Sequence, residues 1–336
     1  MARELLKRWS VLIMLIALPA LARDRIWDIE FFGYTGIDLE EVRKAIPVHE
    51  GDNYSGDETK KRVRQAVSDA LGGDATDVAA ICCNENGDRV LFIGLPGSSS
   101  KRFAYNPAPK GTARLSGEIT KLEDRLNQAL EAAVRKGGDA AREDDSTGYA
   151  LAHDPAARSL QLKLWEYALA HEGALLSVLE SSADPKQRAT AANALGYARK
   201  STRQLTALVR AARDPDDNVR NDAIRALGVL ASSDQRLARQ IPAANFIDMI
   251  NSGVWSDRNK GSFLLLELTR GRNPDLLAEL QARALDSLIE ISKWRSEGHA
   301  LAARFVLGRI AGIPEQRLQQ LVSGPLEPIL GALPHP

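Results

Sequence analysis

Residues 173–312 repeat one pattern of apolar and polar positions four times. In the clearest copy, which begins at Asp214-Pro215, apolar residues stand at 219, 223, 226, 227 and 230. This alternating spacing of three and four predicts an amphipathic helix. Asp214 is the expected N-cap and Pro215 the first helical residue. The same arrangement returns as Ala194-Leu195-Gly196 and as Val306-Leu307-Gly308, and a weaker copy begins at Ser256.

Each copy follows another short apolar helix, so the repeating unit is a pair of helices. The first helices are expected at 173–182, 201–212, 242–251 and 275–292. Units of about 30 to 40 residues are typical of helical repeats, and the D-P…V-R-x-x-A-x-x-A-L-G string resembles the HEAT family. The resemblance implies an α-solenoid over 172–330 that binds a protein or peptide on its concave face. That face would be built by the second helices, at 185–198, 216–230, 257–270 and 296–311.

The segment 23–97 has a different pattern, which predicts the order β-α-α-β-β. Ile26, Ile29 and Phe31 indicate a strand, and helices follow at 39–46 and up to Leu71. Two β-rich runs, 78–83 and 89–94, are joined by Asn86-Gly87, a strong hairpin signal. With Ile29-Glu30-Phe31-Phe32-Gly33 and the run 42–47, this order resembles a POTRA domain. The resemblance implies partner binding by strand addition at a sheet edge.

The region between these two parts is predicted to be a flexible connection followed by an irregular helix pair. Residues 98–111 are rich in Pro, Gly and Ser, and we expect a linker without packing. Within 112–171, helices at 115–134 and 156–171 would cover the N-terminal face of the stack, with a mobile loop at 137–154. The alternative is a free coiled-coil helix at 115–134. The predicted fold class is therefore mainly α: a HEAT-like α-solenoid preceded by a small α+β domain.

The N-terminus predicts export. Arg3, Lys7 and Arg8 precede the apolar run 11–18, and Ala20-Leu21-Ala22 fits a cleavage site. We interpret 1–22 as a signal peptide, which makes the protein periplasmic or secreted with no membrane span after cleavage; an uncleaved anchor is the alternative. Basic and acidic residues balance at 44 each, so no global charge attracts nucleic acid or an anionic membrane.

The two cysteines, Cys82 and Cys83, are neighbours in the sequence. A trans peptide holds neighbouring Cα atoms about 3.8 Å apart, which is closer than the usual separation in a disulfide. We therefore expect no disulfide within the chain. A redox role for the pair is left open.

Motifs for catalysis and cofactor binding are missing from the sequence. It contains no G-x-G-x-x-G, Walker A, H-E-x-x-H, C-x-x-C or G-x-S-x-G, and no two histidines stand four residues apart. We therefore expect no cofactor, no metal site and no enzymatic activity. The predicted function is a protein-binding scaffold of the bacterial cell envelope. The alternatives are an enzyme resembling the HEAT-like bilin lyases, and a POTRA-mediated secretion or assembly factor with the solenoid as a spacer.

Residues at the openings of the second helices are the candidate partner-binding site. Trp and Arg together on an exposed rim are residue types that dominate binding energies. The candidates are Trp255, Asp257, Arg258, Asn259, Lys260, Trp294, Arg295, Arg220 and Arg225. Under the alternative interpretation, Asp257 caps its helix, Arg258 and Lys260 are solvated, and Trp255 packs between repeats. Arg188, Arg220 and Arg225 would then form hydrogen bonds between repeats.

Overall fold

The computed structural model describes residues 24–82 and 87–334. The predicted signal peptide and Cys83 lie outside the described residues. The first domain contains β1 (Ile26–Phe32), α1 (Leu39–Ala45), α2 (Asp57–Leu71), β2 (Asp77–Ile81) and β3 (Arg89–Gly94). The predicted order β-α-α-β-β is therefore confirmed.

The three strands form one mixed sheet with β3 in the centre. β1 pairs with β3 in parallel and β2 pairs with it antiparallel, in the order β1-β3-β2. Successive residues of a strand point to opposite faces. Leu91 and Ile93 accordingly pack with the side chains of α1 and α2, whereas Val90 and Phe92 belong to the hydrophobic core of the helical part. The sheet is thus a layer between its own helices and the solenoid.

The rest of the chain is mainly helical. Its elements are α3 (Gly117–Lys136), β4 (Glu143–Asp144), β5 (Leu151–Ala152), α4 (Pro155–Ser181), α5 (Pro185–Leu195), α6 (Thr202–Ala211), α7 (Asp217–Ser233), α8 (Gln235–Ala238), α9 (Ala243–Ile250), α10 (Trp255–Leu268), α11 (Pro274–Ser292), α12 (Glu297–Ile310) and α13 (Glu315–Leu321). A short 3-10 helix at Gly138–Ala141 follows α3, and α14 (Glu327–Leu330) ends the fold. No helix within 24–82 or 87–334 is long and apolar enough to cross a membrane.

The helices form the predicted solenoid of four pairs. The C-terminal half of α4 pairs with α5, α6 with α7, α9 with α10 and α11 with α12. The second helices contact one another in sequence and form a continuous inner layer. This layer packs closely: a Cβ added to Gly196 would lie 3.1 Å from that of Ala226, and Leu227 has no exposed surface. The mainly helical solenoid predicted from the repeats is confirmed.

The first irregular pair consists of α3 and the N-terminal half of α4. The helix α4 continues through a non-helical residue, His171 (φ −126°, ψ 23°), so the two predicted helices are one kinked helix. The amphipathic helix α3 packs on α4 and α5 and is not free. The loop after it contains the short hairpin β4-β5.

Two predictions of local structure were wrong. Asp216, not Asp214, caps α7 by accepting hydrogen bonds from the N–H groups of Asn218 and Val219. Asp214 forms an ion pair with Arg188 instead. The absence of a disulfide was also predicted wrongly, because Cys82 is disulfide-bonded.

The predicted linker packs on the solenoid along its whole length, contrary to expectation. Its backbone pairs with the turns inside three successive helix pairs. The bonds run from the amides of Lys101, Asn106 and Gly111 to the carbonyls of Asn251, Arg213 and Ser181, at 2.6, 2.7 and 2.7 Å. Proline and glycine keep this segment out of a helix, so its backbone N–H groups have no partners within the segment, which the structure describes in full. Three of them bind the carbonyls of the solenoid turns instead.

Candidate functional site on the inner face of the solenoid

Three arginines at equivalent positions of successive second helices form buried ion pairs between repeats. The pairs are Arg188 with Asp214, Arg220 with Asp257 and Arg258 with Glu290, at 2.8, 2.7 and 3.0 Å. Each guanidinium also donates to the carbonyl six residues before it, which belongs to Ser182, Asp214 or Ser252. We call this set the arginine ladder. Because a buried charge is costly when it lacks its partner, the ladder fixes how each pair stacks on the next.

The candidates at the start of α10 are buried, which corrects their placement on an exposed rim. Arg258 has no exposed surface and Asp257 is 1% exposed. Asp257 does not cap the helix; it accepts hydrogen bonds from Arg220 and from Tyr105 of the linker, both at 2.7 Å. The Arg220 guanidinium also lies 4.2 Å from the centre of the Tyr105 ring. These charges hold the chain together and are not presented to solvent.

The two tryptophans are the docking surface for the N-terminal sheet. Trp255 and Trp294 each contact the Phe92 ring of β3, at centroid distances of 5.1 and 4.9 Å. The Trp294 indole N–H donates to the carbonyl of Phe31 at 3.0 Å. The sequence predicted that these side chains bind a partner from an exposed rim; in this structure they contact another domain of the same chain.

Arg295 also contacts the N-terminal domain. Its side chain reaches Glu50 at 2.8 Å and Asp28 at 3.3 Å, and its backbone N–H donates to Glu30. Asp28 and Glu30 are buried next to each other on the solenoid-facing side of β1. Burial, with Asp28 as neighbour, raises the pKa of Glu30 to about 8. This end of the interface therefore contains a carboxyl group that keeps its proton near neutral pH.

Helix α3 and the loop 137–154 that joins it to α4 cover the opposite end of the inner face. We call this loop the insertion. Tyr197 of the first repeat donates to the carbonyl of Ala150 at 2.8 Å, and Asn193 donates to Glu123 of α3 at 2.7 Å. Arg225 of the second repeat pairs with Glu143 of the insertion. Less of the inner face is therefore accessible than the sequence predicted, because the insertion covers one end and the sheet covers the other.

Between these two covers, α7 and α10 keep a strip of part-exposed side chains. On α7 the strip includes Asn221, Asp222, Gly228 and Val229, and it is flanked by two contacts of the insertion, Glu143 with Arg225 and Asp145 with Ser232. On α10 it includes Ser256, Lys260, Phe263 and Glu267. A Cβ added to Gly228 would meet nothing within 4 Å, so this surface is open. Val229 and Phe263 belong to neither hydrophobic core cluster. We call this strip the inner groove.

Lys260 differs from the other candidates because it has neither an ion pair nor a hydrogen bond with the residues that the structure describes. Burial, and the positive charge of Arg225, lower the pKa of Lys260. The negative charges of Asp222 and Glu143 act on it in the opposite direction, and burial raises the pKa of Asp222 to about 6. Ser256, one helical turn before Lys260, has a buried hydroxyl with no hydrogen-bond partner among the described residues. The groove thus contains a lysine and a hydroxyl that make no side-chain hydrogen bond with the described residues.

His299 completes the end of the groove beside the sheet. Its Nδ1 lies 3.1 Å from the side-chain oxygen of Asn259, the remaining buried candidate, and its ring contacts Trp255 at 5.3 Å. Burial and Lys260 lower the pKa of His299 to about 4, so the ring is neutral at physiological pH. Among the described residues, no group of three or more His, Cys, Asp or Glu could hold a metal ion.

Sequence reasoning missed Glu290 and Tyr105, and it assigned Asp214 to a helix cap instead of to an ion pair. Asp214 and Glu290 each bind a ladder arginine, and Tyr105 binds Asp257, the acid that pairs with Arg220. The two residues of each contact are at least 26 positions apart in the sequence. The signal for them was the recurrence of an arginine at 188 and 220 in the repeat alignment. A charge that recurs on the buried side of a repeat requires a buried counter-charge in the next one.

Comparison with known proteins supports the repeat architecture. Residues 173–242 match the family model described as HEAT repeats. No match was found among curated proteins. The family match does not extend to the N-terminal domain, whose resemblance to POTRA domains stays a prediction.

Three solved structures are similar to parts of this chain at low sequence identity. An engineered protein is 15% identical with a TM-score of 0.39, over 65% of this chain and 98% of that one. A computationally designed armadillo repeat protein for modular peptide recognition is 17% identical with a TM-score of 0.38, over 63% and 90%. A designed armadillo repeat protein in complex with the peptide (KR)4 is 14% identical with a TM-score of 0.37, over 64% and 91%.

Proposed function

We propose that the protein is a non-enzymatic scaffold of the bacterial cell envelope that binds a segment of a partner protein in the inner groove. The class is a helical-repeat binding protein. The observation that carries the proposal is the strip on α7 and α10, where apolar and charged side chains remain part-exposed beside the insertion.

The chemistry of the groove favours a partner segment with an acidic side chain next to an apolar one. Among the described residues, Lys260 has no acidic side chain within ion-pair distance, so a carboxylate from outside would gain a charge-assisted hydrogen bond. Val229 and Phe263 supply apolar contact area on either side. The ladder arginines are excluded from this role, because their donors are already used between repeats.

Photo-crosslinking from inside the groove tests the proposal. A photoreactive amino acid at Val229 or Phe263 is expected to capture one and the same envelope protein in the native host. The matched control is position 162 on α4, where Leu162 is 41% exposed outside the groove. Capture of the same protein from position 162, or of none from the groove, would contradict the assignment.

A charge reversal at Lys260 then tests the anchoring residue. Lys260→Glu is expected to abolish the crosslink from Val229, whereas Lys121→Glu on the exposed side of α3 should leave it unchanged. Circular dichroism of both variants checks that the fold is kept. An undiminished crosslink in Lys260→Glu would remove Lys260 from the binding site.

The envelope location rests on the N-terminal sequence and has its own test. If 1–22 is a cleaved signal peptide, N-terminal sequencing of protein from the periplasmic fraction should begin at Arg23. Protein found in the membrane fraction with Met1 intact would support the uncleaved anchor.

A further inference from the structure

The turn after β1 directs three consecutive backbone N–H groups at one carboxylate. Gly33, Tyr34 and Thr35 donate to the oxygens of Glu290 at 2.7, 3.0 and 3.0 Å. The hydroxyls of Thr35 and Ser99 donate to the same carboxylate at 3.0 and 2.5 Å. All five donors belong to the N-terminal domain and the residues that follow it, whereas Glu290 lies in α11 of the solenoid.

Successive N–H groups that converge in this way form an anion-binding concavity. Its geometry depends on Gly33, which has a φ of +71°, in the left-handed region that favours glycine. A Cβ at this position would also lie 2.6 Å from the carbonyl oxygen of Leu95. Both the backbone conformation at residue 33 and the space around it therefore require glycine, as in other turns that bind anions through backbone N–H groups.

Arg258 completes the donor set from the solenoid side. It donates to Glu290 at 3.0 Å and to the carbonyl of Ser99 at 2.7 Å. The guanidinium and the carboxylate are both almost fully buried. Together with the three N–H groups and the two hydroxyls, Arg258 raises the number of donors to this carboxylate to six. An ion pair between repeats requires fewer.

We infer that the Gly33–Thr35 turn and Ser99 form a carboxylate-binding site of the N-terminal domain, and that Glu290 occupies it as an internal ligand. Its occupation holds the domain on the fourth helix pair. The site therefore recognises a carboxylate as such and accepts a free one when the Glu290 side chain is removed. One consequence rests on the proposed function: docking places Phe92 against Trp255 and His299, so the site fixes one end of the inner groove.

Chemical rescue of the full chain tests the site with formate as the probe. Glu290→Ala leaves Arg258 buried without its acid and should lower the Tm by on the order of 10 °C. Formate should raise that Tm in a saturable way, and sodium chloride at equal ionic strength should not. The matched control is Glu279→Ala, which removes a part-exposed carboxylate of the same helix that pairs with Arg283. Formate rescue that is absent, or equal in Glu279→Ala and wild type, overturns the inference.

Hydrogen exchange gives a second readout if Glu290→Ala does not fold. Glu290→Gln keeps the size of the side chain but replaces one acceptor oxygen with an NH2 group that faces donors. Amides 33–35 should then exchange at least about tenfold faster than in the wild type, while α2 amides stay unchanged. Unchanged protection at 33–35 would show that the carboxylate does not hold the turn. Neither readout involves a partner, so failure here leaves the groove proposal standing, and failure of crosslinking leaves this site standing.

Discussion

Individual basic residues in this chain have opposite roles that their neighbours in the sequence do not reveal. Arg258 is fully buried between Ser99, Ser252 and Glu290. Lys260, two residues later on the same helix, has no such partner in the described part of the chain. The difference arises because position 258 faces the next repeat and the docked domain, while position 260 faces the groove. Burial lowers the pKa of Arg258 to about 10, and Glu290 compensates for part of the cost.

Arg258→Ala is expected to lower the free energy of unfolding by about 3–5 kcal/mol, since it leaves Glu290 as an unpaired buried charge. This loss is larger than the small one expected for a solvated arginine, because Arg258 is buried and paired. Urea denaturation followed by circular dichroism measures the change. Arg283→Ala, which removes a half-exposed ion-pair partner of Asp248 and Glu279, should cost about 0–1 kcal/mol. Equal losses in the two variants would mean that the ladder contributes no more than surface pairs.

At the scale of elements, the linker shows how composition and tertiary contacts can point in opposite directions. Its prolines and glycines exclude helix, which is correct. However, the extended backbone pairs with three turns of the solenoid, and Phe103 is buried. The insertion between α3 and α4, by contrast, has an exposed tip around Arg142, whose side chain is 72% exposed.

Limited proteolysis distinguishes these two segments. Trypsin should cleave first after Arg142 in the insertion, and cleavage after Lys101 or Arg102 should follow only when the chain unfolds, although both side chains are exposed. The reason is that the linker backbone is bonded to three turns of the solenoid, whereas the backbone of Arg142 is bonded within its own short loop and hairpin. First fragments that end at residue 101 or 102, identified by mass spectrometry, would contradict the packed linker.

The helix α7 tests the coupling between repeats. Leu227→Ala should cost about 2–5 kcal/mol, because a buried leucine is replaced by a cavity in the middle of a stack held by contacts between neighbours. Thermal and urea denaturation measure the loss. Leu162→Ala on the exposed side of α4 should change stability by less than about 0.5 kcal/mol. A comparable loss in both variants would show that α7 is not in the core of the stack.

At the scale of the whole molecule, the sheet and the solenoid are joined by an interface rich in buried carboxyl groups. Asp28, Glu30 and Glu290 all lie within it. Burial raises the pKa of Asp28 and of Glu30. Glu290 accepts hydrogen bonds from the turn after β1. The two parts therefore form one unit whose stability depends on protonation.

The stability of this unit should fall as the pH rises from about 4.5 to about 8. Glu30 has a pKa of 4.5 when exposed and about 8 when folded, so its contribution is complete below 4.5 and is lost as the pH rises through 8. Glu30→Gln removes the titration and should flatten the decline. Urea denaturation at pH 5, 6, 7 and 8 measures both slopes. Glu118→Gln, on the exposed start of α3, is the control, and equal slopes in Glu30→Gln and wild type would refute the role of Glu30.

The sequence alone determined the elements and the class of fold. Apolar spacing depends only on local geometry, so it placed α7, α10 and α12 and the order β-α-α-β-β close to where they lie. It placed Trp255, Trp294 and Arg258 on an exposed rim, whereas they are buried. What those residues contact was decided by the tertiary structure, because Phe92 and Glu290 approach them from more than 30 positions away. Long-range pairing leaves no periodic signal in a single chain. The docked domain, the bound linker and the uncovered strip on the inner face therefore follow only from the folded molecule.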